Sequence, residues 1–136
     1  MIDATRNWSR SVILWNSALD QNQEPHLGDC KNCRGVITVK DADGAGEAVP
    51  TVDFTALAHV REFVRPGARR IESNTFGPGS LEDVAFRNPD GSLVLLVLNS
   101  GSKRVTFNVS WEKKYAVYTL PANAVATLIW RCGQHR

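Results

Sequence analysis

The spacing of apolar residues along this chain changes once, at Pro66-Gly67. Before that point, residues 12–15 (Val-Ile-Leu-Trp) make a short, fully apolar run, the pattern of a strand buried on both faces in a parallel sheet. Residues 16–35 read as a long loop punctuated by Pro25, Gly28 and Gly35. Residues 36–39 predict a brief strand, and residues 41–46 (Asp-Ala-Asp-Gly-Ala-Gly) a turn. A helix follows, with Asp53 placed as its N-cap and Phe54, Leu57, Ala58, Val60 and Val64 at helical spacing. Pro66 ends it, because proline disfavours helical geometry in the residue before it and Gly67 can reverse the chain.

After Pro66-Gly67 the period becomes two. Val84-Ala85-Phe86 runs into Asn88-Pro89-Asp90-Gly91, where the Asp-Gly step suits a tight hairpin. The return strand, residues 93–98, is apolar at every position and should be central, covered on both faces. Val105, Phe107 and Val109 alternate with Thr106, Asn108 and Ser110, so the next strand has one wet face. Residues 115–118 and 125–130 make two more strands, separated by Pro121-Ala122-Asn123. Five or six short strands with turns between them predict a mainly β fold, an antiparallel β-sandwich.

Length and charge narrow the function classes. A chain of 136 residues can form a core, but a complete eight-stranded α/β barrel needs about 250 residues. Sixteen Lys plus Arg stand against 14 Asp plus Glu, for a net charge of +2. The cations are scattered, so no electrostatic footprint for nucleic acid follows. No apolar run approaches the ~20 residues that cross a bilayer. No signal peptide is readable at the N-terminus.

The three cysteines, Cys30, Cys33 and Cys132, cannot all pair within one chain. Cys30 and Cys33 are two residues apart and would close a local loop, as a disulfide or as free thiols. Zinc needs four ligands in good geometry, and His26, His59, His135 and Cys132 supply no recognisable spacing. A redox Cys-x-x-C would open a helix, whereas Arg34-Gly35 leads from this pair into a strand. No metal and no cofactor is expected.

Two segments carry more than local structure. The first runs from Arg6-Asn7-Trp8-Ser9-Arg10-Ser11 through Val12-Ile13-Leu14-Trp15-Asn16 and Ala18-Leu19-Asp20 to Pro25-His26 and Cys30-Lys31-Asn32-Cys33-Arg34-Gly35. The second is Phe63-Val64-Arg65-Pro66-Gly67-Ala68-Arg69-Arg70-Ile71. In this order they resemble the last barrel strand, the following loop and the exit into the β-sandwich of glycoside hydrolase family 30, the glucosylceramidase-like enzymes. The resemblance spans nearly all of residues 5–131, departing from the family pattern at Ser17 and at Gln23-Glu24. It implies that residues 1–65 are a remnant of a (β/α)8 barrel, with its terminal strand, a loop and one helix, and that residues 66–136 are the C-terminal sandwich.

The resemblance also implies that the catalytic carboxylates lie upstream, so no residue here is expected to be catalytic. Retaining glycosidases need two carboxyl groups about 5 Å apart. Asp20 and Glu24 are the nearest approach to a pair, and an ordinary solvated loop accounts for them equally. Barrel active sites lie at the C-terminal ends of strands. Trp15, near such an end, is the candidate substrate-binding residue, able to stack on a sugar ring with its N–H free for a hydroxyl. The resemblance places it in the glycone pocket; the alternative is a packing role in the barrel. Asn16 is the second substrate-binding candidate. Trp8, Trp111 and Trp130 are expected to be packing residues.

The expected function is therefore that of a C-terminal fragment of a family 30 hydrolase. A carbohydrate or glycolipid would be its substrate only when the missing N-terminal barrel segment is present, as in β-glucoside or sphingolipid breakdown. The family implies secretion or a lysosome as locations, while the chain itself fixes neither. The first alternative is a free-standing carbohydrate-binding or interaction module. It would need exposed aromatics along one sheet face, and Tyr115 and Tyr118, an odd number apart, project oppositely. The second alternative is a redox or metal protein built around Cys30 and Cys33.

Overall fold

A computed structural model describes residues 1–25, 28, 30, 32–41, 44, 46–74 and 80–131. His26, Cys132 and His135, weighed above as metal ligands, lie outside the described residues. The fold is mainly β. The chain divides into two compact units, residues 12–61 and residues 1–11 together with 62–136.

In the larger unit, strands β4 (Arg69–Ile71), β5 (Leu81–Arg87), β6 (Ser92–Asn99) and β9 (Ala124–Arg131) form an antiparallel sheet in the order β4-β5-β6-β9. Strands β7 (Val105–Trp111) and β8 (Lys114–Leu120) form a separate antiparallel ribbon. The core lies between them, with Leu81, Ala85, Leu95 and Val97 of the sheet against Phe107 and Leu120 of the ribbon. As expected, β6 is central, and residues 93–97 are all buried. The ribbon strand β7 buries Phe107 and exposes Thr106, Asn108 and Ser110, the predicted wet face.

Two side chains tie this unit's connections. Asn99, fully buried, donates from Nδ2 to the carbonyls of Lys103 (2.8 Å) and Pro121 (2.8 Å) and accepts at Oδ1 from Ser80 Oγ (2.8 Å) and Gly101 N (3.1 Å). Asn88 donates to the Phe63 carbonyl (2.9 Å) and accepts from Arg65 N (2.9 Å). The Phe63–Arg65 end of the exit segment is thus held on the β5–β6 hairpin. Gly67, at φ +84°, sits where a Cβ would lie 3.3 Å from the Pro89 ring, so a larger residue there would be strained.

A second helix adds to the one expected. Helix α1 (Ile2–Arg6) buries Ile2 and lies against β5. Its cause is local: β4 stops at Ile71, paired with Ala85, and two residues further along β5 the Asp83 carbonyl accepts from Arg6 Nη1 at 2.8 Å. Residues 1–11 therefore count with the sandwich.

In the smaller unit, β1 (Ala18–Asp20) pairs in parallel with β2 (Ile37–Lys40), which pairs antiparallel with β3 (Glu47–Pro50). Helix α2 (Val52–Phe63) follows and ends before Pro66-Gly67, as predicted. Three expectations need correction. Residues 12–15 are not a buried strand: they have no strand assignment, and Ile13 is 89% and Trp15 65% exposed. An apolar run becomes a buried strand only where neighbours take its backbone groups, and the parallel pairing begins three residues later. Nor are residues 16–35 wholly loop, since β1 lies among them. Asp53 is a first-turn residue of α2 rather than its N-cap, and the charge suits the helix N-terminus.

Candidate functional site

The smaller unit presents Trp15 at the start of its paired region. The Asn16 and Ser17 carbonyls accept from Val36 N (3.3 Å) and Ile37 N (3.0 Å), extending the β1–β2 ladder backward. Asn16 stands at φ +63°, a left-handed backbone that asparagine tolerates better than most residues. It therefore marks the bend between the exposed run 12–15 and β1. The Trp15 indole is left facing outward, available for stacking on a flat apolar partner.

The loop after β1 is built as a brace. Asp20 Oδ1 accepts from Asn22 N (2.7 Å) and Glu24 N (2.8 Å), which occupies that carboxylate in holding a turn. Cys30 and Cys33 are joined through their sulfurs, with Cα atoms 5.3 Å apart. Arg34 Nε meets Asp53 Oδ2 at 2.7 Å, and the carboxylate partner raises the guanidinium pKa. Gly35 packs so closely under β1 that a Cβ would lie 2.8 Å from Leu19 N. Thr51 Oγ1 donates to the Gly35 and Val36 carbonyls (3.0 and 2.8 Å). Among the described residues no group of three or more His, Cys, Asp or Glu is placed to hold a metal.

The larger unit holds features the residue pattern does not reveal. Trp8 is no packing residue: it is 77% exposed, with the Arg70 guanidinium 4.0 Å above its ring. Trp111 and Trp130 do pack, and they form the wall between two clefts. The first, about 370 Å³, is lined by Asp83, Ser73, Asn74, Asn108 and Ser110 among apolar residues. Burial pushes the Asp83 carboxyl above the usual carboxylate range, and Ser73 and Arg6, whose Nη1 is 3.4 Å from Oδ1, offset this only in part. The carboxylate oxygens, Ser73 Oγ and both indole nitrogens are buried without a well-formed hydrogen bond among the described residues.

The second cleft, about 450 Å³, runs along β8 and is lined by Trp111, Tyr115, Tyr118 and Trp130, with Lys114 and Arg131 at its rim. Tyr115 and Tyr118 do alternate, Tyr115 opposite Ser110 and Tyr118 opposite Phe107, with which it stacks at 6.2 Å. Both still reach this cleft because it follows the unpaired edge of β8 rather than one of its faces. Strand parity, a rule about faces, could not have found it.

Comparison with known proteins agrees with this architecture. Residues 67–128 match the glycosyl hydrolase family 30 beta sandwich domain. The chain is 26% identical over 131 residues to endo-1,6-beta-D-glucanase BGN16.3 of Trichoderma harzianum, covering 91% of this chain and 26% of that protein. It is 33% identical over 79 residues to the lysosomal acid glucosylceramidase of Mus musculus, covering 57% of this chain and 15% of that protein. The solved structure of the endo-beta1,6-glucanase BT3312 superposes with a TM-score of 0.83 at 26% identity, over 96% of this chain and 29% of that one. The chain thus spans about a quarter or less of the relatives it matches. With the β4–β9 sandwich in place, residues 67–128 are a family 30 β-sandwich domain, and it is to glycosyl hydrolase family 30 that this chain belongs.

Proposed function

We propose that this chain is the C-terminal part of a family 30 hydrolase that cleaves β-glucosidic bonds when complete, and that the chain alone is catalytically silent. The correspondence to the endo-beta1,6-glucanase BT3312 over 96% of the chain carries this reading, since it reaches beyond the sandwich into residues upstream of 67. The acidic residues support it. Asp20 is engaged in a turn, Asp53 pairs with Arg34, and Asp90 accepts from Ser92 Oγ. Trp15 is the residue that would face sugar in the complete enzyme, and Asn16 sets its position through the bend into β1. Coverage favours a β-glucan over glucosylceramide as the substrate class: 91% of the chain aligns with the fungal glucanase and 57% with the murine glucosylceramidase.

Purified chain should hydrolyse neither an aryl β-glucoside nor a β-1,6-glucan, because it lacks the acid–base pair such chemistry requires. Turnover that disappears in Asp20→Asn or Glu24→Gln would overturn the reading.

A further inference from the structure

We propose that the cleft along the free edge of β8 is a glycan-binding site of its own, taking a neutral β-linked oligosaccharide by stacking a sugar ring on Tyr115. The proposal rests on the glycosidase reading for its ligand class, but its residues belong to the larger unit, whereas Trp15 belongs to the smaller.

Exposure is the first observation. Tyr115 is 79% exposed and Tyr118 39%, on a strand whose outer edge has no partner among the described residues. Tyr and Trp present an apolar ring with a polar tip and suit partners that are apolar on one side and wet on the other. A pyranose is such a partner, with C–H groups on its faces and hydroxyls around its edge. The cleft's volume of about 450 Å³ lies in the range of small-ligand sites, with mostly apolar walls and a few polar groups.

The rim narrows the chemistry further. Glu112 stands beside Lys114 and Arg131, so acceptors and donors for hydroxyl groups are both at hand and no single sign of charge prevails. A polyanion would meet a carboxylate there, and a fatty chain would meet three ionic heads. Beyond the shared Trp111 and Trp130 wall, Asn108 and Ser110 of the neighbouring cleft continue the run of hydroxyl-matching groups. That continuation suits a chain of several sugars better than a single one.

The test is titration of the full chain with short β-1,6-linked gluco-oligosaccharides and, separately, β-1,4-linked xylo-oligosaccharides, followed by the amide and indole N–H resonances. Binding should perturb the Trp111 and Trp130 indole signals. Tyr115→Ala should weaken it about tenfold, Tyr115→Phe should retain it, and Trp15→Ala should leave it unchanged. Because Tyr115 is so exposed, the fold should survive either Tyr115 change. Tyr115-dependent binding of xylo- but not gluco-oligosaccharide would uphold the cleft and count against the glucan reading. The proposal is overturned if no neutral oligosaccharide binds, if Tyr115→Ala leaves binding intact, or if Tyr115→Ala only disrupts self-association, which would mark the edge of β8 as a protein interface.

Discussion

Residues 93–97 and residues 12–15 are both unbroken apolar runs rich in Leu, Ile and Val, and they occupy opposite environments. The first lies in β6 with β5 on one side and β9 on the other, and every residue in it is buried. The second has no ladder, with Ile13 and Trp15 largely exposed. Apolar content makes a strand worth burying, but neighbouring backbones decide whether one forms. Hairpin turns supply those neighbours to β6 from within forty residues of chain. Nothing near residues 12–15 does so among the described residues.

Substituting equivalent positions in the two runs gives the largest expected difference. Leu95→Ala opens a cavity between sheet and ribbon and should cost about 3 kcal/mol, measured by urea unfolding followed by circular dichroism. Leu14→Ala should cost less than about 0.5 kcal/mol. Equal costs would mean that residues 12–15 are packed in solution and that the contrast is wrong.

Asn99→Ala ranks second. The side chain serves two carbonyls at 2.8 Å and two donors, joining the end of β6 to the connections on either side of the ribbon. Its loss leaves several buried groups without partners, each costing about 1–3 kcal/mol, so a total near 2 kcal/mol is expected after partial relaxation. Hydrogen exchange should quicken in β7 and β8 before it does in β5. Uniform acceleration would show that the ribbon and the sheet open as one.

How legible this was in the residues follows the same division. The β5–β6 hairpin could be read from Asp90-Gly91 and two apolar runs, and the one-sided β7 from its alternation, because both signals are local. Strand β4 and helix α1 were not anticipated. Arg69-Arg70-Ile71 carries no strand pattern of its own and is recruited by β5, and α1 is short, anchored by Ile2 and by Arg6 on Asp83. The motifs that point to the family, Cys30 to Gly35 and Phe63 to Ile71, are explained largely as braces: Gly35 fits under β1 and Gly67 beside Pro89. The aromatic cleft was hidden because its walls come from three strands and meet only at an edge.

Charge buried in the larger unit sharpens the comparison by pH. The Asp83 carboxyl is raised by burial, so the folded chain holds that proton more tightly than the unfolded one does. Its cost is therefore absent below the folded pKa and full above it, and wild-type stability should rise as pH falls through that value. Asp90 runs the other way. Its hydrogen bonds to Ser92 lower it, giving stability that is present above the ordinary carboxylate pKa and lost as pH falls through the folded one. Asp83→Asn should stabilise the chain at neutral pH by on the order of 1 kcal/mol and converge with wild type in mild acid. A destabilised variant at neutral pH would show that the ionised carboxylate is held by Arg6 more firmly than a 3.4 Å approach suggests.

The smallest effect is the most exacting test of the contrast. Ile13→Ser replaces a side chain that is 89% exposed, in a segment without ladder hydrogen bonds, and so removes almost no buried surface on folding. Its expected change in unfolding free energy is below about 0.5 kcal/mol. A polar residue at this position should also reduce association at high protein concentration, because Ile13, Leu14 and Trp15 together expose an apolar strip. Sedimentation before and after the substitution measures that directly. A shift toward monomer with unchanged unfolding supports the exposed run. Loss of stability comparable to Leu95→Ala would instead show that residues 12–15 have found, in solution, the neighbours that residues 93–97 have within the sheet.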